Sequence, residues 1–470
     1  MYDLAIIGGG PGGYVAAITG AQKGLKVLLI ERDTLGGNCL ARGCIPTKSL
    51  YYDSKLFKAA RSSPVLTGTE TLSIDPRKMK ARKQQLVQTL SSGIASVIGS
   101  NGIKIAAGTG QLISPGRLRM VAQDGTISLY EAHNIILATG SRPAVPSFIE
   151  VDGHLVQTTD EALDAEDIPR NVIIIGGGVI GLEMAAIYLN LGAQVTIIEM
   201  LPDIILTEDH DIRRAMRQLL AREGAAVFLK ATVQEAVRQD KRVAVRFKDE
   251  IGGIHTLHAD RLLMATGRAP VLDGIEPDRL GLAMQDGFVK VNHRFETSLG
   301  GVYAIGDVVG GMMLAHKASA EAEAAVANIS GTDKKIRPEW IPRCIWGLAE
   351  IGAAGLTEAQ ARQTGRNIKI GKFPHSASGA ATALGNPDGF TKIIGDADTG
   401  EILGVHIFGE HATDLISEPV SAMTMESAVE DLYEAVKPHP TLSETVGEAA
   451  RAWNNLAIHL PASGTQKKER

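Results

Sequence analysis

The chain has 470 residues, enough for about three domains, with 52 glycines and only 4% aromatic residues. Its net charge of −5 argues against a general binder of nucleic acid or membrane surfaces, and three cysteines exclude a disulfide-stapled secreted scaffold. No apolar run is long enough to cross a membrane, and no cationic leader precedes the first predicted strand. We therefore expect a globular protein of the cytoplasm.

The first predicted elements are a strand, a turn and a helix, which begin with LAIIGGGPGG at residues 4–13. In a dinucleotide-binding unit Gly8 allows the tight turn, Gly10 lets the backbone approach a pyrophosphate, and Gly13 lets the helix pack on the strand. The phosphates would lie at the helix N-terminus, and Glu31, at the end of the next strand, would accept a hydrogen bond from a ribose hydroxyl. A glycine turn without a ligand is the alternative, but strand, helix and acid are all in place.

Two cysteines follow this unit in the segment GGNCLARGCIPTK, which contains Cys39 and Cys44. Their spacing is not that of a metal site and no second pair follows, so two interpretations stay open: buried free thiols or a redox-active dithiol. A disulfide closed over four intervening residues would be constrained and readily reduced. Positive charge on Arg42 and Lys48 would favour the thiolate form.

A second nucleotide-binding unit begins with VIIIGGGVIG at residues 172–181. Its glycines are Gly176, Gly178 and Gly181, and Glu199 follows the first of them by 23 residues, the spacing found in the first unit. An acid at this strand end suits a free 2′-hydroxyl and would repel a 2′-phosphate, and no arginine follows it within ten residues. The second unit is therefore predicted to prefer NAD over NADP.

A short repeated segment closes each unit. IILATGSRP at 135–143 contains Gly140, and LLMATGRAP at 262–270 contains Gly267. The stretch between acid and ATG segment is about 41 residues longer in the first copy, and it holds both cysteines and a predicted long helix near residues 77–97. Both cysteines thus lie in a segment that the first unit has and the second unit lacks.

The rest of the chain predicts a central segment and a closing domain. The central segment contains a strand-like GGVYAIGD and a helix from Lys317 to Ile329, and the closing domain alternates strand and helix patterns, as in an α+β fold. A polar tail follows and is predicted to be frayed. In chain order, the predicted domains and segments are residues 1–145, 146–270, 271–340, 341–462 and 463–470.

A candidate acid–base pair lies in the closing domain, in the segment KPHPTLSE. His439 stands between prolines, and Glu444, five residues later, could hold the imidazole and stabilise its protonated form. A histidine beside prolines is otherwise more often a surface or packed turn residue. Asp307, at the end of GGVYAIGD, has an ordinary Asx turn as its alternative.

Together these motifs resemble the flavin-dependent pyridine nucleotide–disulfide oxidoreductases. GGNCLARGCIPTK is similar to their redox signature, usually GGTCLNxGCIPSK, and the resemblance extends from LAIIGGGPGG to HPTLSE. It implies an α/β fold with two Rossmann-like dinucleotide-binding domains, the first for FAD and the second for NAD, followed by an α+β dimerisation domain. The implied activity is NAD-dependent oxidation of protein-bound dihydrolipoamide by a homodimer. The implied partner is the lipoyl domain of a 2-oxo acid dehydrogenase or glycine-cleavage complex.

The resemblance also implies roles for single residues. Cys44 would be the thiol beside the flavin, and Cys39 the interchange thiol that meets the substrate. Lys48 and Glu183 match the family's ion pair beside the flavin, and Asp307, in the central segment, matches the acid that binds the flavin's ribityl or phosphate portion.

In the same family the histidine matched by His439 serves the disulfide of the partner subunit, and its glutamate, matched by Glu444, supports the imidazole. A shared site of this kind exists only in the dimer.

The sequence departs from the family pattern at Ala41 and Arg42, where Asn-Val is usual, at Lys437, where a second histidine is frequent, and around Cys344. Two alternatives therefore stay open: an NAD(P)H-dependent reductase of another disulfide, and a non-catalytic flavin-binding docking subunit. The presence of both cysteines and of His439 favours catalysis.

Overall fold

The computed structural model describes residues 1–461, so the predicted frayed tail, 463–470, lies outside the described residues. The chain divides into two compact units. The first consists of Met1–Ile168 and Leu263–Ile336, and the second of Pro169–Leu262 and the chain from Arg337 onward. Each unit is thus built from two separate stretches of sequence.

Residues 1–461 contain α-helices and β-strands, with 3₁₀ turns at Thr69–Thr71, Gly306–Val309, Pro338–Trp340 and His375–Ala377. The helices are α1 (Pro11–Gln22), α2 (Gly37–Arg42), α3 (Cys44–Arg61), α4 (Pro76–Ser100), α5 (Thr159–Ala162), α6 (Val179–Asn190), α7 (His210–Arg222), α8 (Pro277–Leu280), α9 (Ala315–Ile329), α10 (Glu358–Gln363), α11 (Gly379–Ala383), α12 (Ala412–Leu415), α13 (Ser417–Thr424), α14 (Val429–Glu434) and α15 (Glu444–Trp453). The strands are β1 (Tyr2–Ile7), β2 (Val27–Glu31), β3 (Lys104–Ala107), β4 (Thr109–Ser114), β5 (Arg117–Val121), β6 (Ile127–Leu137), β7 (Ser141–Pro143), β8 (Val156–Gln157), β9 (Asn171–Ile175), β10 (Gln194–Ile198), β11 (Ala226–Phe228), β12 (Thr232–Gln239), β13 (Arg242–Lys248), β14 (Ile254–Ala259), β15 (Arg261–Met264), β16 (Arg268–Pro270), β17 (Met284–Gln285), β18 (Phe288–Val289), β19 (Val302–Ala304), β20 (Arg343–Trp346), β21 (Glu350–Gly355), β22 (Ile368–Pro374), β23 (Phe390–Asp396) and β24 (Ile402–Phe408).

The first unit is built on a sheet in the order β3-β2-β1-β6-β5-β4, with β19 paired to β6. The strands from β3 to β6 are parallel, and so is β19, whereas β4 and β5 extend the sheet as antiparallel neighbours. Ala5 pairs with Leu28 on one side and Ile135 on the other, and all three are completely buried. Because parallel strands are covered on both faces, their sequences are continuous apolar runs, as in LAII.

The helices predicted from the sequence are confirmed. The segment predicted as helix near 77–97 is α4, which starts at Pro76 because Asp75 caps it, accepting from the Arg77 amide at 2.9 Å. Proline at the first helical position and aspartate before it are a strong start signal. The helix predicted over 317–329 is α9, which begins two residues earlier at Ala315.

The second unit has a parallel ladder and an antiparallel sheet. Strands β9, β10 and β11 pair in parallel, and β12, β13 and β14 form an antiparallel sheet of their own. The closing part is an antiparallel sheet in the order β20-β21-β24-β23-β22. Every residue of β23 and β24 is buried, and α15 packs so closely on the sheet that a Cβ at Gly371 would lie 2.1 Å from the Ala449 carbonyl.

A buried ionic cluster joins the start of α7 to this sheet. Lys392, in the middle of β23, has a side chain only 2% exposed and donates to Asp209 at 2.8 Å and to Glu358 at 2.7 Å. Burial pushes the pKa of Asp209 upward, but the hydrogen bonds from Lys392 and from the Glu358 amide outweigh it and lower the pKa to about 2. His406, opposite Lys392 on β24, is completely buried, and burial lowers its pKa.

No helix among residues 1–461 combines the length and the apolar character that crossing a membrane requires.

Candidate active site

The first glycine turn is shaped so that side chains cannot enter it. A Cβ at Gly13 would lie 1.8 Å from the Gly8 carbonyl oxygen, and one at Gly8, where φ is +103°, would lie 2.3 Å from the Ala138 oxygen. Gly10 is different, because a Cβ there would come no closer than 3.9 Å to the atoms around it, at the Cα of Gly37. Space therefore remains in front of Gly10, at the start of α1, where the free amides of the helix attract an anion.

Glu31 closes this turn from the end of β2. Its carboxylate accepts from the amide of Gly9 at 2.5 Å and from the amide of Asp33 at 2.7 Å, one on each oxygen. A carboxylate oxygen has two acceptor positions, so both oxygens can still accept a ribose hydroxyl. Glu31 thus fixes the turn and keeps an acceptor at the place where a nucleotide ribose would lie.

The second unit repeats this geometry. A Cβ at Gly181 would lie 2.0 Å from the Gly176 oxygen, whereas a Cβ at Gly178 would meet no atom of the described residues within 4 Å. Glu199, only 7% exposed, accepts from the Gly177 amide at 2.6 Å and from the amide two residues after itself at 2.7 Å. Both units therefore present an open helix start and an anchored acid, a shape that fits the pyrophosphate and ribose of a dinucleotide.

The two thiols lie at the junction of α2 and α3. Cys39 is in the middle of α2, Cys44 is the first residue of α3, and their Sγ atoms are 2.6 Å apart without a disulfide bond between them. The hydrogen bond with Cys44 and burial raise the pKa of the Cys39 thiol, and the charge of Lys48 acts in the opposite direction. The geometry suits a pair that alternates between dithiol and disulfide.

Arg42 is engaged by a neighbouring carboxylate. Its guanidinium pairs with the carboxylate of Asp33, and both side chains are 45% exposed. Hydrogen bonding to Asp33 raises the pKa of Arg42. Of the two cations named from the sequence, Lys48 is therefore the one whose field reaches Cys39.

Asp307 is held in a network that the sequence alone did not reveal. Ser141, 1% exposed, donates its hydroxyl to Asp307 Oδ2 and accepts from Arg268 Nε at 2.6 Å. The Ser141 carbonyl accepts from Arg268 Nη2 at 2.9 Å and from Asn38 Nδ2 at 2.5 Å. The network ties Asn38, the residue before Cys39, to Asp307.

A sequence signal for two of these residues existed in the repeat. Ser141 follows Gly140 and Arg268 follows Gly267, and these glycines have φ values of +74° and +103° with open space where a Cβ would lie. Glycine is therefore required at both positions by the positive φ, and not by a lack of space for a side chain. The residues after them form β7 and β16, which pair antiparallel.

Lys48 and Glu183 lie in different units. Lys48 is half-buried on α3, and Glu183, 6% exposed on α6, accepts from the Trp346 amide at 3.2 Å. The predicted ion pair between them stays a prediction.

The acid–base candidates are in contact. His439 Nδ1 lies 2.9 Å from Glu444 Oε1, and the other oxygen of Glu444 accepts from the Thr441 amide at 2.9 Å. Burial pushes the pKa of Glu444 upward, but the hydrogen bonds from His439 and Thr441 outweigh it and lower the pKa. The His439 side chain is 78% exposed, so its outer nitrogen is open to a substrate or a second subunit.

Metal chemistry has no visible site in the described part of the chain. Within residues 1–461 no group of three or more His, Cys, Asp or Glu side chains is placed to hold a metal ion. The third cysteine, Cys344, is half-buried on β20 with its Sγ 3.8 Å from the Thr413 carbonyl oxygen.

Comparison with known proteins agrees with this geometry. Residues 2–322 match the pyridine nucleotide-disulphide oxidoreductase family, and residues 341–450 match the dimerisation domain of that family. The chain therefore belongs to the pyridine nucleotide-disulphide oxidoreductases, enzymes that use FAD and NAD(H), and the predicted fold class is confirmed.

Similar proteins cover nearly the whole chain. A dihydrolipoyl dehydrogenase of Bacillus subtilis is 39% identical over 98% of this chain and 99% of its own length. A dihydrolipoyl dehydrogenase of Chlorobaculum tepidum is 37% identical over 96% of each chain. The crystal structure of LpdA from Mycobacterium tuberculosis has a TM-score of 0.89 and 27% identity, covering 95% of this chain and 98% of that one.

Proposed function

We propose that this protein oxidises protein-bound dihydrolipoamide to lipoamide with NAD⁺, using Cys39 and Cys44 as its redox pair. The observation that carries the proposal is the contact between the two thiols, 2.6 Å apart in the FAD-type unit. The full-length similarity to dihydrolipoyl dehydrogenases supports the choice of substrate.

The thiol chemistry starts from the Cys39–Cys44 disulfide. A substrate thiolate attacks Cys39 Sγ, forming a mixed disulfide and releasing Cys44 as a thiolate. The second substrate thiolate then attacks the substrate sulfur of that mixed disulfide. Lipoamide leaves with its disulfide closed, and the enzyme retains the electron pair as the Cys39–Cys44 dithiol.

Proton movement is the task of His439. Its imidazole takes the proton of the substrate thiol, and Glu444, bonded to Nδ1, orients the ring and stabilises the imidazolium that results. The hydrogen bond from Thr441 holds the Glu444 carboxylate in place for this role. In the proposed homodimer each His439 serves the disulfide of the other subunit, so that the site is shared across a two-fold axis.

The two glycine turns would hold the cofactors. The turn of Gly8, Gly10 and Gly13, with Glu31 and Asp307, would bind FAD, and Gly140 would let the chain leave this domain. The turn of the second unit would bind NAD, together with the acid at its strand end and the glycine of its ATG segment; these residues are Gly176, Gly178, Gly181, Glu199 and Gly267. Bound FAD supplies a two-electron acceptor between the dithiol and NAD⁺. Lys48 and Glu183 are proposed to lie beside it.

The proposed partner is the lipoyl domain of a 2-oxo acid dehydrogenase or glycine-cleavage complex, since dihydrolipoamide is carried on another chain. The proposed compartment is the cytoplasm. Structural disulfides are rare there, which agrees with a chain that has one proposed redox pair and only one further cysteine.

The test is a panel of disulfides offered to the FAD-loaded protein with NADH: lipoamide, glutathione disulfide and coenzyme A disulfide. We expect kcat/KM for lipoamide to exceed the others by at least about tenfold, because specificity is a difference in transition-state binding. A preference for glutathione or coenzyme A disulfide would assign the protein to another reductase. Absence of turnover with every disulfide, in a yellow protein, would favour the docking subunit.

A further inference from the structure

We propose that Asn38 is a positioning residue that locks the redox helix α2 to the flavin-side network of Ser141, Arg268 and Asp307. The proposal rests on the proposed function only in taking Cys39 and Cys44 as the redox pair. Asn38 itself does not contact the substrate in this proposal. Its effect on the thiols runs through the backbone of α2.

Helix α2 needs an anchor because it is short and has no cap of its own. It spans six residues and follows Gly36, whose φ of +98° reverses the chain, and no side chain caps its first turn. Such a turn frays easily, since four amides at a helix start lack partners. Cys39 is in this helix, so fraying would move the thiol relative to Cys44.

The Asn38 side chain supplies that anchor from the position next to Cys39. Its amide nitrogen lies 2.5 Å from the Ser141 carbonyl oxygen, which also accepts from Arg268 at 2.9 Å. Ser141 is 1% exposed and bonds through its hydroxyl to Asp307. A hydrogen bond to a buried, fixed acceptor restrains the donor more than one to a mobile surface group.

The residue type is a departure of this chain from the usual family signature, GGTC, in which threonine stands in place of Asn38. Threonine carries a hydroxyl on Cβ, whereas the asparagine amide nitrogen is one bond further from the backbone and can only donate. The Ser141 carbonyl can only accept. Asparagine is therefore matched to this acceptor in reach and in polarity.

The deciding experiment uses the FAD-loaded protein reduced by NADH and compares Asn38→Asp with Asn38→Ala. The readout is the long-wavelength absorbance of the thiolate beside the flavin, per bound FAD, relative to wild type at each pH between about 5 and 8. In Asn38→Asp a carboxylate oxygen would face the carbonyl oxygen, so we expect this ratio to fall below that of Asn38→Ala at pH 8. As pH falls the introduced carboxyl takes a proton, can donate again, and the ratio recovers. The ratio for Asn38→Ala stays flat.

Asn101→Asp is the matched control. Asn101 also donates its side-chain amide to a backbone carbonyl, that of Val97 at 2.8 Å, but at the end of α4. Its ratio should equal that of wild type throughout. Asn38→Thr is a third Asn38 variant, which introduces a hydroxyl that can donate from a shorter side chain, and we expect its ratio to lie between those of Asn38→Ala and wild type.

Two results would overturn the proposal: an absorbance ratio equal to that of wild type in both Asn38→Asp and Asn38→Ala, or equal losses in these two variants without recovery of Asn38→Asp at low pH. The second would mean that the amide only fills space. Because the reductant is NADH, the readout does not depend on lipoamide. A failure of dihydrolipoamide turnover in the wild type would remove the proposed substrate and leave this test intact.

Discussion

Arg268 and Ser141 occupy equivalent positions in the two ATG segments, and they bind each other. The guanidinium of Arg268 donates to the Ser141 hydroxyl at 2.6 Å and to its carbonyl at 2.9 Å. They meet because β7 and β16 pair antiparallel directly after the two glycines. The two repeated ATG segments thus contact each other through Arg268 and Ser141. The hydroxyl of Ser141 also donates to Asp307.

Loss of the Arg268 side chain should therefore destabilise the first unit. In Arg268→Met two hydrogen bonds to a buried serine are lost, and we expect the free energy of unfolding to fall by about 1–3 kcal/mol. Urea denaturation of the FAD-loaded protein measures this. The control is Arg142→Met, one residue beyond Ser141. The Arg142 side chain is 62% exposed, and its contact with Asp273 is long, at 3.6 Å. It should cost at most about 0.5 kcal/mol. Equal costs would mean that the network adds nothing.

The buried cluster around Lys392 predicts a strong mutational effect in the second unit. Lys392→Met leaves Asp209, whose side chain is 1% exposed, without its cation, and should lower the free energy of unfolding by about 3–5 kcal/mol. The double variant Asp209→Asn, Lys392→Met should recover most of this, since no buried charge is then unpaired. A double variant no more stable than Lys392→Met would contradict that explanation.

The same cluster predicts the acid limb of stability. The pKa of Asp209 in the folded protein is about 2, below its unfolded value of about 3.9. The stabilisation is therefore complete above about pH 4 and is lost as pH falls through about 2. In Asp209→Asn that part of the pH dependence should be absent, which denaturant midpoints between about pH 2 and 5 would reveal.

The two cysteines should have separable roles. Cys39→Ser and Cys44→Ser should each abolish lipoamide turnover and keep FAD, because the proposed turnover needs both sulfurs and the flavin is proposed to be held by the Gly8 turn, Glu31 and Asp307. Cys39→Ser should retain the long-wavelength absorbance of Cys44 beside the flavin. If only Cys44→Ser retains it, the roles of the thiols are reversed.

In the proposed mechanism His439 serves the disulfide of the other subunit, so its variants test both catalysis and dimer formation. His439→Gln should keep fold, flavin and dimer and lose about 10²–10⁴-fold in rate, and Glu444→Gln should lose less, because it acts only through the imidazole. Subunits carrying Cys39→Ser and subunits carrying His439→Gln are then mixed under conditions of exchange. Both lesions can fall in one site of a mixed dimer, leaving the other intact, so activity near half of native per mixed dimer is expected. No recovery after proven exchange would mean that each chain builds its own site.

The proposed preference for NAD over NADP rests on Glu199. Its carboxylate is buried and anchored by two backbone amides, so it cannot easily swing away from a 2′-phosphate. We expect kcat/KM to favour NADH over NADPH, and Glu199→Gln to narrow the difference by removing the repelling charge. An NADPH preference in the wild type would refute the assignment.

Much of this protein could be predicted from local sequence. A strand joined to a helix through Gly8, Gly10 and Gly13 indicates a dinucleotide-binding turn, because only glycine permits the turn and the close approach of helix to strand. The second unit followed from the same pattern, and α4 lies where a long helix was predicted near residues 77–97. The contact of His439 with Glu444 was also predictable, since the two residues are five positions apart and bracket the start of one helix.

Only the tertiary structure decided the contacts between residues distant in sequence. Asn38 and Ser141 are 103 positions apart, and Ser141 and Arg268 are 127 apart. Nothing in either local segment specifies its partner. The pairing of Arg42 with Asp33 was missed for a different reason: a charge near a thiol was counted without its counter-ion. Sequence periodicity determines which element forms, but long-range hydrogen bonds depend on how packed elements bring their ends together, and that is set by the whole core.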